Sequence, residues 1–227
     1  MSYTNSPLVS YTQISPNRTK NRTSIERFTP HCYVGQVSVE RMGKGWATYH
    51  STKGTSANYG IGNDGRIGLY VEEKDRAWTS SSRDNDMKAI TVECASDKEH
   101  PYTINDKVYA SLVNLLEDIC RRNGKTKVLW FADKEKSLSY KPAANEIIIT
   151  VHRWFAAKSC PGEYIYNRLG QIADEVNKRL GSTKPPAEET VPLWQVVSGS
   201  YSNIENAKKQ AAALRAAGFN CFIQGKV

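Results

Sequence analysis

The segment His152-Arg-Trp-Phe-Ala-Ala-Lys158-Ser-Cys160-Pro161-Gly162 constrains this chain more than any other. It places an imidazole, an ammonium and a thiol within nine residues. The run Ile147-Ile-Ile-Thr-Val151 leads straight into it and reads as a buried strand, because it is short, β-branched and ends at a polar group. Pro161 and Gly162 then open a helix, where proline is tolerated in the first turn. His152 thus falls at a strand end and Cys160 near a helix start, a layout that suits two metal ligands on rigid elements.

Two ligands rarely hold a transition metal, and a further donor lies upstream. In Ser24-Ile-Glu-Arg-Phe-Thr-Pro30, residues Ile25, Arg27 and Thr29 alternate with Glu26 and Phe28. The pattern allows a strand, with His31 just past its end. Two strand-end histidines and one cysteine make a set of three ligands. That leaves a fourth position for water, the pattern of a catalytic zinc site. Taken singly, each residue has a plainer reading: a surface histidine that hydrogen-bonds, or a cysteine acting as a small hydrophobe.

The order His-x5-Lys-x-Cys-Pro, with a histidine at the end of an upstream strand, resembles the zinc-dependent N-acetylmuramoyl-L-alanine amidases of type 2. This superfamily includes phage lysozyme-amidases and peptidoglycan recognition proteins. The resemblance runs from about Thr23 to Leu180 and includes further pieces in order: Ser56-Ala-Asn-Tyr59, Asp64-Gly65, Asp75-Arg-Ala-Trp78 and Ala89-Ile-Thr-Val-Glu93. It implies an α/β fold with a central mixed sheet flanked by helices and zinc in a surface groove. It also implies His31, His152 and Cys160 as the zinc ligands. Glu93 takes the place of the general base, and Lys158 places a positive charge near the developing oxyanion. The phage branch carries a tyrosine in the hairpin strand; that place falls on Ala57, and Tyr59 two residues on is the weaker substitute for Glu93. Trp78, Asn58, Asn85 and Tyr59 are candidate substrate contacts. For Trp78 a core role is an equal alternative.

Composition narrows the partners. Apolar residues make up 39% and charged residues 24%, which is globular, and no apolar run is long enough for a transmembrane helix. Met1 to Lys20 is polar, without the apolar segment of a signal peptide. The expectation is a protein made in the cytoplasm that acts on the cell wall after release. The net charge of +8 favours an anionic partner. Lysines and arginines are spread out, without an aromatic-basic nucleic-acid motif, so nucleic acid is not the expected partner and the charge is either wall-directed or simply solubilising. The resemblance implies a phage or prophage endolysin, for which the peptidoglycan of a Gram-positive wall is the expected partner. Five scattered cysteines do not form a disulfide framework. Cys120, among Leu115, Leu116 and Ile119, reads as core. Cys32 follows His31 on a strand, so its side chain is expected on the opposite face.

The hydrophobic pattern predicts a helix over 105–123 on Val108, Leu112, Leu115, Leu116 and Ile119, and one over 162–180 on Ile165, Leu169, Ile172, Val176 and Leu180. Residues 58–62 and 66–71 flank Asn63-Asp-Gly65 as a hairpin. Val128–Trp130 and Ala89–Glu93 read as strands. Gly181 to Val191, with its proline pair, reads as a linker after a catalytic domain of residues 1–180. Residues 192–227 read as a β-α-β unit: strands at 193–197 and 220–223, and a helix opened by the capping box Ser202-Asn-Ile-Glu205. This unit looks like half of a SPOR repeat, a domain type that binds glycan strands. Half a domain buries little surface. Pairing into a dimer, or a truncated remnant, are the two readings.

Overall fold

The computed structural model describes residues 3–181 and 202–216. The chain divides into two compact units, Met1–Pro185 and Pro186–Val227. In the first, strands β1 (Val9–Thr12), β3 (Arg27–Cys32), β4 (Tyr59–Ile61), β5 (Ile67–Leu69), β7 (Ala89–Cys94), β8 (Lys127–Leu129) and β9 (Glu146–Ile149) form one sheet, in the order β1-β5-β4-β7-β3-β9-β8. Only β4 and β5 pair antiparallel; the other neighbours run parallel. A two-stranded ribbon joins β2 (Arg18–Thr19) to β6 (Arg76–Ala77). Helices α1 (Val39–Gly45), α2 (Arg83–Lys88), α3 (Asp106–Arg122), α4 (Lys134–Ser139), α5 (Glu163–Tyr166) and α6 (Leu169–Gly181) complete this unit. The sheet is mixed and flanked by helices, as the family resemblance implies.

The main core lies between the sheet and α3 and α6. α3 carries the expected stripe, fully buried, is capped by Asn105 accepting from the Val108 N–H, and ends before Gly124 at φ 65°. Each such apolar side chain contributes about 1.5–3 kcal/mol of burial free energy. A second cluster, Met42, Trp46, Ala57, Tyr70 and Ala95, packs around α1. It depends on the cross-strand glycine pair Gly60 and Gly68. A Cβ at Gly68 would stand 2.3 Å from the Tyr70 hydroxyl, and one at Gly60 2.5 Å from Met42 Sδ. The hairpin turn falls at Asn63–Gly65 as expected, with Gly65 at φ 87°.

Three expectations need correction. His31 lies inside β3, not beyond it. The strand passes through Pro30 because the missing N–H faces β9, and β3–β9 pairing has ended by then, at Phe28 paired with Ile149. The helix over 162–180 is two helices. Arg168 N–H bonds back to Ile165 O, a tightened turn that ends α5. The arginine head group then lies 3.7 Å over the Tyr164 ring. Ile165, Leu169, Ile172 and Val176 still form one buried stripe across the break. In the second unit, α7 (Ile204–Ala216) is capped by Asn203, whose Oδ1 accepts from the Glu205 N–H at 2.8 Å, in place of the expected Ser202–Glu205 box. Ala207, Ala211 and Leu214 do share its less exposed face. The strands expected at 193–197 and 220–223, and any dimer contact they would make, lie outside the described residues.

Candidate metal centre

The three central parallel strands β7, β3 and β9 bring the chemistry to one end of the sheet. His31 comes from the end of β3. Glu93 is its register partner on β7. His152 begins a short 3-10 turn, His152–Trp154, just after β9. Ligand sites at the carboxyl ends of parallel strands follow from this geometry, because the loops leaving the strands converge there. Cys160 arrives on the loop before α5. That loop is tied down by Arg153, which pairs with Glu163 at 2.6 Å and donates to Ser159 O at 2.6 Å, while Arg153 N–H bonds Cys160 O.

Donor atoms of His31, His152 and Cys160 lie within 4.8 Å of one another. Cys160 Sγ is 3.2 Å from His31 Nδ1, close to the roughly 3.5 Å separating a nitrogen and a sulfur ligand around one tetrahedral zinc. The two imidazole centroids are 5.1 Å apart, edge to face. Burial, then His152, push the His31 pKa well below its usual value. His152 is lowered by burial and by the Lys158 charge. Both rings are therefore neutral at pH 7 and offer lone pairs, as a cation requires. A hydrogen bond with Cys32, then burial, push the Cys160 thiol up. A divalent cation reverses that preference, because it stabilises the thiolate directly.

Glu93 Oε1 is 3.9 Å from His31 Nδ1. With His31 neutral this is a polar contact and not an ion pair. Burial, then Cys32, push the Glu93 carboxyl up to about 8. Glu93 Oε2 and His31 Nε2 are buried with no hydrogen-bond partner among the described residues. Unpaired buried polar atoms cost free energy, which a bound group would offset. The donor set and this unpaired carboxylate oxygen fit a zinc ion with a water beside it.

Lys158 is exposed, and its charge reaches His152. Trp78, just after β6, is half-buried. Its indole N–H donates to Thr19 Oγ1 at 3.0 Å, and Tyr49 and Arg76 lie 6.3 Å and 5.8 Å from its ring. Three other expected substrate contacts are turned into the protein, which corrects that expectation. Tyr59 is fully buried; its hydroxyl donates to Glu73 at 2.7 Å and accepts from the Ser6 N–H at 2.9 Å. Asn58 is fully buried and accepts from Arg22 and the Thr91 N–H. Asn85 is fully buried: it donates to Thr29 Oγ1 at 3.0 Å and accepts from Thr150 Oγ1 at 2.9 Å. Those two hydroxyls are themselves 2.8 Å apart.

This threonine pair was not anticipated, although a signal exists. Thr29 and Thr150 each stand two residues before a histidine of the donor group, the spacing that puts side chains on one strand face. Cys32 also acts on the site, since its interaction with the Cys160 thiol lowers its own pKa. The donor group still consists of His31, His152 and Cys160. Ser81, whose Oγ is 3.0 Å from His152 Nε2, carried no sequence signal within Thr79-Ser80-Ser81-Ser82.

Residues 11–163 match the family described as N-acetylmuramoyl-L-alanine amidase. That span is more than half of the chain, so the chain belongs to this family and is a peptidoglycan amidase. Residues 168–225 match the SPOR domain, which implies peptidoglycan binding. The start of that match overlaps α6, which packs on α3 and β8 of the first unit. Among solved structures, an AmpD derivative is 16% identical with a TM-score of 0.50, covering 76% of this chain and 99% of its own. PlyL is 15% identical with a TM-score of 0.48, covering 78% and 97%. The amidase LysC from Clostridium intestinale is 15% identical with a TM-score of 0.47, covering 74% and 95%. At such identities the likeness concerns the fold. Comparison with curated proteins finds no match. No helix among the described residues is long and apolar enough to cross a membrane.

Proposed function

We propose that this amidase is zinc-dependent and hydrolyses the amide between the lactyl group of N-acetylmuramic acid and L-alanine, freeing stem peptides from the glycan. The observation that carries the reading is the convergence of His31, His152 and Cys160 beside the unpaired carboxylate of Glu93. Zinc held by those three residues would supply a water of lowered pKa and polarise the scissile carbonyl. Glu93 accepts the proton of the attacking water and returns it to the departing alanine nitrogen. Lys158 sets a positive charge near the developing oxyanion. Trp78, with Tyr49 beside it, offers an aromatic surface to the sugar or peptide.

In this reading, residues 1–180 are the catalytic domain, 181–191 a linker and 192–227 a wall-binding unit. The charge of +8 suits an anionic Gram-positive wall, and the pairing of amidase with wall-binding unit suits a phage or prophage endolysin.

The test is digestion of insoluble Gram-positive wall with and without chelator, labelling new amino and reducing ends. New alanine amino termini that vanish with chelator and return with zinc are expected. New reducing ends, or activity indifferent to chelation, would overturn the proposal.

A further inference from the structure

Ser81 stands in a left-handed backbone conformation, φ 60°. Such a conformation is unfavourable for a residue with a side chain, and it persists where the surroundings over-determine it. The surroundings here do so. The Asp86 carboxylate, nearly fully buried, accepts from the N–H groups of Thr79 at 3.0 Å and Ser80 at 3.1 Å, and from the Ser80 hydroxyl. Ser82 caps α2 by accepting from the Asn85 N–H. The Asn85 amide donates to both Ser80 Oγ and Thr29 Oγ1, joining the loop to the strand that carries His31. Thr150, two residues before His152, bonds the same amide's oxygen. The loop is thus held from the same buried hub that aligns the two histidine strands. Ser81 itself is exposed, so this framework does not serve its burial. Among the described residues the partner of its hydroxyl is His152 Nε2, at 3.0 Å.

We infer that Ser81 is a positioning residue for the metal site: its hydroxyl oxygen accepts the Nε2 proton of His152, fixes the tautomer and aims the remaining nitrogen, Nδ1, at the cation. A ligand imidazole is oriented by whatever its second nitrogen bonds, and losing that partner typically costs about 10–100-fold in metal affinity. The strained backbone at Ser81 is then the means of delivering a hydroxyl to a point that a relaxed loop would miss. The inference rests on the zinc reading proposed above.

Zinc affinity of the full chain, measured by competition with a chromogenic chelator, tests it. Three variants separate the causes. Ser81→Gly is content at positive φ but has no hydroxyl. Ser81→Ala lacks the hydroxyl and keeps the backbone restriction. Ser81→Asn tolerates the left-handed region and supplies an amide oxygen. Glycine and alanine are expected to weaken zinc about tenfold or more, and asparagine to recover part of the loss. The melting temperature of the zinc-free protein should stay unchanged for Ser81→Gly. Wild-type affinity in Ser81→Gly would overturn the positioning role while leaving the zinc site intact. Tighter zinc in that variant would show that the hydroxyl competes with the metal, which also overturns it. A wild-type chain that takes up no zinc would overturn the zinc reading and this inference together.

Discussion

Two sets of buried polar groups lie in the same unit and are treated in opposite ways. Around Tyr59, the phenol hydroxyl and the Glu73 carboxylate are spent on the protein itself. Glu73, fully buried, receives the Tyr59 hydroxyl and a guanidinium nitrogen of Arg122 at 2.5 Å, while Asn5 Oδ1 holds its N–H. Around His31, Nε2 of the ring and Oε2 of Glu93 have no partner among the described residues. The first arrangement joins the N-terminal segment and α3 to the hairpin. The second leaves the Glu93 Oε2 acceptor and the far nitrogen of His31 without a protein partner among the described residues.

The comparison can be broken by substitution. Cys160→Ala is expected to lower zinc stoichiometry from one to near zero under dilute zinc and to abolish wall digestion; retention of zinc with full activity would remove Cys160 from the ligand set. Glu93→Gln should keep zinc and reduce kcat by about 10²–10⁴-fold, the usual range for a lost general acid-base group. Its stability should not fall, because an unpaired buried carboxylate contributes none. The opposite is expected of Arg122→Ala, which leaves Glu73 charged and buried: about 3–5 kcal/mol of stability lost in chemical denaturation, with the activity of the folded fraction unchanged. The smallest effect is expected for Tyr59→Phe, about 1–2 kcal/mol, since Glu73 keeps its Arg122 partner. A fall in kcat for Tyr59→Phe at constant zinc content would return Tyr59 to the chemistry and erase the distinction.

Much of the fold was legible because the signals were local. The α3 stripe, the Asn63–Gly65 turn and the apolar strand before His152 each depend on neighbours a few residues apart. The break between α5 and α6 was not legible, since a tightened turn at Arg168 leaves the apolar spacing intact. Strands β1, β2 and β6 were missed for a related reason. They are short, and pairing partners distant in sequence make them strands. Of the site, the clustering of His31, His152 and Cys160 follows the spacing and motif order. Asn58, Asn85 and Tyr59 could not be assigned, because a polar residue in a motif looks the same whether its groups meet substrate or a buried hydroxyl.

By itself, then, the order of residues marked the candidate donor side chains and the rigid elements that deliver them. It did so because strand ends and helix starts are written in periods of two to four residues. Tertiary structure alone decided which polar groups are consumed and which stay free. Parallel pairing of β7, β3 and β9 set Glu93 beside His31, joined Thr29 to Thr150 through Asn85, and brought Ser81 to His152 across 71 positions of chain. Hydrogen-bond satisfaction is a property of three-dimensional neighbours, and no local pattern records it.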